Sequence, residues 1–164
     1  MVKIDTLFKK GLITRISELE IGRYVNFFEN SYKDNLEHSK KNLVEFPRWS
    51  IISGYYAMHD ITKLLIAKKF RIKIEFNVHK ITIQLLRELI KDKELNILIK
   101  KGYTEFLTLA NDLSKARKER TKVQYYTGTK FLKEEYAKRA GEFYEKIVLI
   151  YIQKIKKLIE QEKK

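Results

Sequence analysis

The run Arg48–Phe70, RWSIISGYYAMHDITKLLIAKKF, constrains this chain more than any other stretch of it. Tyr55, Met58, Thr62 and Leu65 recur at helical spacing, with Ile51 one turn before them, so the run predicts a single buried amphipathic helix. Its small residues, Ser53, Gly54 and Ala57, admit close approach by another helix. Tyr55 and Tyr56 bring hydroxyls that need partners where they are buried.

The rest of the chain reads as helices around that one. A first short helix near Ile4–Lys10 leads past Gly11 to Ser17, an N-cap with Glu20 three residues on, the spacing of a capping box. A long helix then runs to about Val44, with Ile21, Tyr24, Val25, Phe28, Tyr32, Leu36 and Leu43 on its apolar stripe. The sole proline, Pro47, suits the first turn of the next helix, which ends near Lys69. Residues Arg71–Asn77 form a connection with a β-prone patch, and a further helix opens at about Val78 with His79, Ile83, Leu86 and Ile90. A shorter piece, Asp92–Lys100, ends at Gly102 as a C-cap, and another helix opens near Thr104 and follows Phe106, Leu109, Leu113 and Ala116. Thr127-Gly128-Thr129 is a turn, and the last helix runs from about Lys130 with Ala140, Tyr144, Ile147, Tyr151, Ile155 and Leu158 inward. This pattern predicts an all-α fold, an antiparallel up-and-down bundle of about four to five helices. Residues 1–164 make one domain, enough for one well-filled core and too few for two.

Composition narrows the setting. No apolar stretch reaches the roughly 18 residues of a membrane-spanning helix. The N-terminus, MVKIDTLFKKGL, has neither an uninterrupted apolar core nor a small-residue cleavage site, and the chain has no cysteine. Disulfides, a thiolate nucleophile and a cysteine-based zinc site are thereby excluded, and a cytoplasmic protein without a membrane partner is expected. Usage rich in Lys, Glu, Ile and Tyr matches that of a thermophile. The net charge of +14 speaks to association with a polyanion rather than to fold, although lysines spread over helix faces also serve solubility.

One residue breaks its helical stripe. Steps of three and four from Phe106 give Leu109, Leu113, Ala116 and then Arg120, so a guanidinium must snorkel at the helix end or face a polar cleft. An arginine there also caps terminal carbonyls favourably. Arg117 and Lys118 share the helix as candidate anion contacts, and Gln124, Tyr125 and Tyr126 stand just beyond it. Of the histidines, His59 lies one turn after Tyr55 and faces the interior or its edge, His79 sits at a helix start, and His38 sits on a charged stretch. No two of them lie at metal-ligand spacing and no H-E-x-x-H occurs, so neither a metal nor a cofactor is expected. Asp60–Lys63 and Glu20–Arg23 read as helix-surface pairs. No Gly-rich phosphate loop, nucleophile elbow or paired-carboxylate arrangement stands out.

The YYAM order resembles the second helix of the HEPN (higher eukaryotes and prokaryotes nucleotide-binding) superfamily, whose members often read W-x(n)-YYAM-(F/Y)-H-A, with His59 here at the aromatic position and Asp60 at the His position. The segment ARKERTKVQYYTG resembles that family's second signature, an Arg followed four to six residues later by His, or its R-x-x-A-D-Y variant. Aligned on Arg120, Tyr125 falls on the histidine position and Gln124 on the Asp of the variant, while NVHK around His79 resembles the family's opening of its third helix. The resemblance covers about residues 20–150. It implies a homodimer with RNA or a nucleotide bound at a basic cleft around Arg120, contacted by Arg117, Lys118, Gln124, Tyr125 and Tyr126. It implies also a partner nucleotidyltransferase in a toxin–antitoxin or defence system, with Tyr125 and Tyr126 as candidate acceptors of a nucleotide. In HEPN ribonucleases Arg grips the scissile phosphate and His moves the proton. A phenol with a pKa of about 10 moves a proton poorly at neutral pH, so a degenerate ribonuclease site is expected. The alternatives are an active metal-independent endoribonuclease, with His59 as a candidate catalytic residue beside Arg120 and Tyr125, and a purely structural interaction module.

Overall fold

In the computed structural model, residues 4–119 and 129–161 are described, with side-chain surroundings for 4–109 and 134–161. In chain order the elements are α1 (Ile4–Lys9), β1 (Ile13–Arg15), α2 (Glu18–Lys41), α3 (Pro47–Phe70), β2 (Ile72–Ile74), α4 (Val78–Leu85), α5 (Lys93–Glu119), α6 (Thr129–Phe143) and α7 (Leu149–Glu160). α4 runs on through a π-helical turn, Leu86–Ile90, and a second π-turn, Tyr144–Val148, joins α6 to α7 as one rod. The fold is all-α apart from the two short strands, and no helix among the described residues is long and apolar enough to cross a membrane.

α3 is the axle. Pro47 occupies its first turn, where the missing N–H leaves nothing unpaired, and the helix closes on Arg71, whose N–H reaches the Ala67 carbonyl at 3.1 Å. Ile51, Tyr55, Ala57, Met58, Ile61 and Leu65 are all fully buried, and α2, α5, α6 and α7 each pack on α3. Burial thus runs round the helix rather than along the one face expected of an amphipathic segment.

α2 runs antiparallel to α3, with Ser39 meeting Ser50 near one end and Ser31 meeting Asp60 further along. The Ser39 hydroxyl donates to the Ser50 carbonyl at 2.8 Å and the Ser50 hydroxyl to the Ser39 carbonyl at 2.7 Å, so each buried serine satisfies the other. Gly54 makes this approach possible: a Cβ there would sit 3.0 Å from Ser39 Oγ, 3.0 Å from Val148 Cγ2 and 3.2 Å from Phe143 Cε1. At the start of α2 the capping box is altered. Ser17 bonds the Glu20 carboxylate side chain to side chain at 2.9 Å, and only its carbonyl receives helix N–H groups.

β1 pairs antiparallel with β2 in the register Ile13↔Ile74, Thr14↔Lys73, Arg15↔Ile72. The β-prone patch in the connection is thus a strand, and its partner strand follows α1. Leu7, Ile13, Ile66, Ile72, Ile74 and Ile81 form a satellite core beneath this ribbon, which fixes where α4 begins.

Gly102 does not end a helix. α5 is continuous from Lys93 to Glu119, so the separate pieces Asp92–Lys100 and Thr104 onward are one element. Asp92 caps its start, accepting from the Leu95 N–H at 3.0 Å. The glycine is there for contact: a Cβ would lie 3.0 Å from Met58 Sδ and 3.4 Å from Tyr55 Cδ2. In the last rod Ala140, Tyr144, Tyr151 and Ile155 face inward, and Ile147 and Leu158 pack at the core's margin.

Candidate functional site

Tyr55 points from the axle into a cluster of rings gathered from α3, α4 and α5. Its ring lies 5.0 Å from Phe106 and 5.8 Å from Tyr103, centroid to centroid, and its hydroxyl is 2.8 Å from His79 Nδ1. Burial pushes the Tyr55 phenol far above its ordinary range, so it keeps its proton, and donation to Nδ1 gives that buried O–H its partner. The other ring nitrogen of neutral His79 then carries the hydrogen. Burial, followed by the neighbouring His59, lowers the pKa of His79 and favours this neutral form. The His79 ring stacks at 5.7 Å on Phe106 and at 5.9 Å on Tyr103, which locks its plane.

His59 lies beside it, the two imidazole centroids 4.7 Å apart. It is buried, as its place one turn after Tyr55 allows. Thr82, on α4 and fully buried, stands 3.1 Å from His59 Nε2. With Thr82 donating to Nε2, Nδ1 carries the proton and faces Asp60 Oδ1 at 3.5 Å, too far for a formed hydrogen bond.

Asp60 is drawn the other way. Its Oδ2 accepts from the Ser31 hydroxyl at 2.7 Å and from Asn35 Nδ2 at 3.1 Å, both on α2. Lys63, one turn on, holds its amine 4.0 Å above the Phe28 ring, and burial lowers its pKa against the opposing pull of Asp60. The pair expected on the helix surface is therefore inside: Asp60 is only 7% exposed, and it bonds α2 rather than forming an ion pair with Lys63. Glu20, of the other expected surface pair, bonds Ser17.

These groups open onto a cleft of about 460 Å³ between α2, α3 and the start of α4, within the range of ligand sites. Phe27, Asn35, Tyr56, Asp60, Lys63 and His79 line it, and Phe27 is 61% exposed. Sequence spacing gave no sign that Ser31, Asn35 or Phe27 belong here, because they come from a different helix.

Arg117 and Lys118 lie within α5 close to its end at Glu119, their side-chain surroundings undescribed, while Arg120, Gln124, Tyr125 and Tyr126 lie outside the described residues. At 1.5 Å per residue, Arg117 follows Phe106 along the α5 axis by about 16 Å. His38 is exposed and meets Ser53 Oγ at 2.7 Å. That serine donates its proton to the Trp49 carbonyl at 2.8 Å, so His38 donates to Ser53 and no nucleophile is activated. Among the described residues no group of three His, Asp or Glu side chains is placed to hold a metal ion. No family model matches the chain, and neither a curated protein nor a solved structure matches it.

Proposed function

We propose that this protein is a HEPN-like helical bundle that binds single-stranded RNA or a nucleotide, with a degenerate ribonuclease motif. The observation that carries this reading is an aromatic-lined cleft, with exposed Phe27 and half-buried Tyr56 at its walls, in a chain of net charge +14. Ring faces for bases within a basic surface are the physical recipe for binding single strands. A span of about 16 Å along α5 separates the ring cluster from Arg117, which suits an oligonucleotide touching both better than a mononucleotide. By the resemblance, Arg120 with Arg117 and Lys118 grips phosphate, and Gln124, Tyr125 and Tyr126 complete that second contact. The same resemblance supports an antiparallel bundle that dimerises with a second copy, cytoplasmic, and paired with a nucleotidyltransferase for which Tyr125 or Tyr126 is the acceptor.

The experiment is a salt titration. RNA affinity measured by fluorescence anisotropy should fall linearly with log salt, and Arg120→Ala should weaken binding and flatten the slope by about one. Salt-independent or absent binding would leave an interaction module instead.

The close approach of His59 and His79 favours a second reading, a metal-independent endoribonuclease. The hydrogen bonds weigh against it. Tyr55 occupies one nitrogen of His79 and leaves N–H at the other, while Thr82 occupies His59 Nε2, so neither ring offers a free lone pair to a ribose hydroxyl. Cleavage of RNA in the presence of chelator, lost in both His79→Ala and Arg120→Ala, would establish the second reading.

A further inference from the structure

The inventory of hydrogen-bonding groups around the cleft is specific enough to select a base. Asp60 contributes acceptors only. Asn35 gives both recorded contacts through its amide nitrogen, to Asp60 at 3.1 Å and to Ser31 at 3.5 Å, which leaves its carbonyl oxygen as an acceptor. On the donor side stand the His79 N–H set by Tyr55 and the Lys63 amine. One carboxylate and one ammonium make the cleft close to neutral, and a phosphate placed in it would meet Asp60. The cleft is thus built for an uncharged planar ring with adjacent N–H donors on one edge and acceptors beside them.

Among the nucleobases, guanine has that pattern: N1–H and the 2-amino group side by side, with O6 and N7 as acceptors. Adenine and cytosine each offer a single amino group, and uracil one N–H. We propose that this cleft is a guanine pocket, in which Asp60 accepts from the 2-amino group and the Asn35 carbonyl oxygen from N1–H, His79 and Lys63 donate to O6 or N7, and Phe27 and Tyr56 supply ring faces. The inference rests on the RNA-binding reading and names the base that reading leaves open.

Inosine lacks only the 2-amino group, so it isolates the contact to Asp60. Single-stranded RNA 12-mers with guanosine or inosine at the same positions should differ in affinity by roughly ten-fold in favour of guanosine. Asp60→Asn should erase that difference. Because Asp60 also ties α3 to α2, titration of the native protein with guanosine monophosphate, followed by NMR, provides a second readout: side-chain signals of Asn35 and His79 should shift and saturate. Saturation by the mononucleotide assigns the pocket to a free nucleotide as well as to RNA; shifts with the 12-mer alone assign it to RNA. Equal affinity for guanosine and inosine strands, or a preference that survives Asp60→Asn, overturns the guanine pocket while leaving RNA binding intact. Failure of both strands to bind overturns both.

Discussion

The hydroxyl of Tyr55 stands 2.8 Å from Nδ1 of His79, a contact between the middle of α3 and the first turn of α4 that sets which face of the imidazole the cleft sees. A protonated phenol donating to Nδ1 stabilises neutral His79, in the same direction as burial. His79 should therefore titrate below the ordinary histidine value of about 6.5. Tyr55→Phe removes the donor and should raise the His79 pKa toward that value, as NMR of the ring carbons would follow.

The same shift has a stability consequence with a defined sign. Folding favours neutral His79, so the unfolded chain takes up its proton first as pH falls through about 6.5. The contribution is therefore complete above that value and is lost as pH drops toward the folded pKa. Melting temperature should decline between pH 7 and pH 5, and His79→Gln should flatten that decline. The carboxylates of Glu29 and Glu75, held low by hydrogen bonds from Lys33 and Thr14, act in a separate window below about 4.5.

Two glycines predict opposite responses to alanine. Gly54→Ala presses a methyl against Ser39, Val148 and Phe143 at once and should destabilise by about 1–3 kcal/mol, offset in part by helix propensity. Gly22, exposed in α2 with nothing within 4 Å of its added Cβ, should gain about 0.5–1 kcal/mol on the same change. Urea denaturation of the two variants tests the pair.

Thr82→Val keeps the shape of a fully buried side chain while stripping the partner from His59 Nε2. The buried nitrogen left without a bond should lower stability by about 1–3 kcal/mol. A change no larger than that of an exposed Thr→Val substitution would show that His59 has another partner.

α3 was legible almost to the residue, because Pro47, the apolar spacing and the small residues Ser53, Gly54 and Ala57 are local signals that tertiary packing reinforces. Gly102 misled for the opposite reason. A glycine after a lysine-rich stretch has the local look of a C-cap, yet here it admits Met58 and Tyr55, a contact that only the packed fold contains. β1 carried too little pattern in three residues to declare itself, and its partner lies some way along the chain. Asp60 and Lys63 looked like a surface pair because i,i+3 spacing says nothing of Ser31 and Asn35 across the interface. The histidines that matter were named from sequence, but their meeting depends on the ribbon and satellite core that start α4 where it starts.

Phe27 offers the most direct test of the central claim, because its ring is 61% exposed and its loss leaves the core intact. The affinity of Phe27→Ala for a single-stranded RNA 12-mer, measured by anisotropy against the native protein, should fall by about 1–3 kcal/mol, the worth of one base stacked on an aromatic ring. Unchanged affinity in a variant with native melting temperature would contradict the placement of RNA in this cleft.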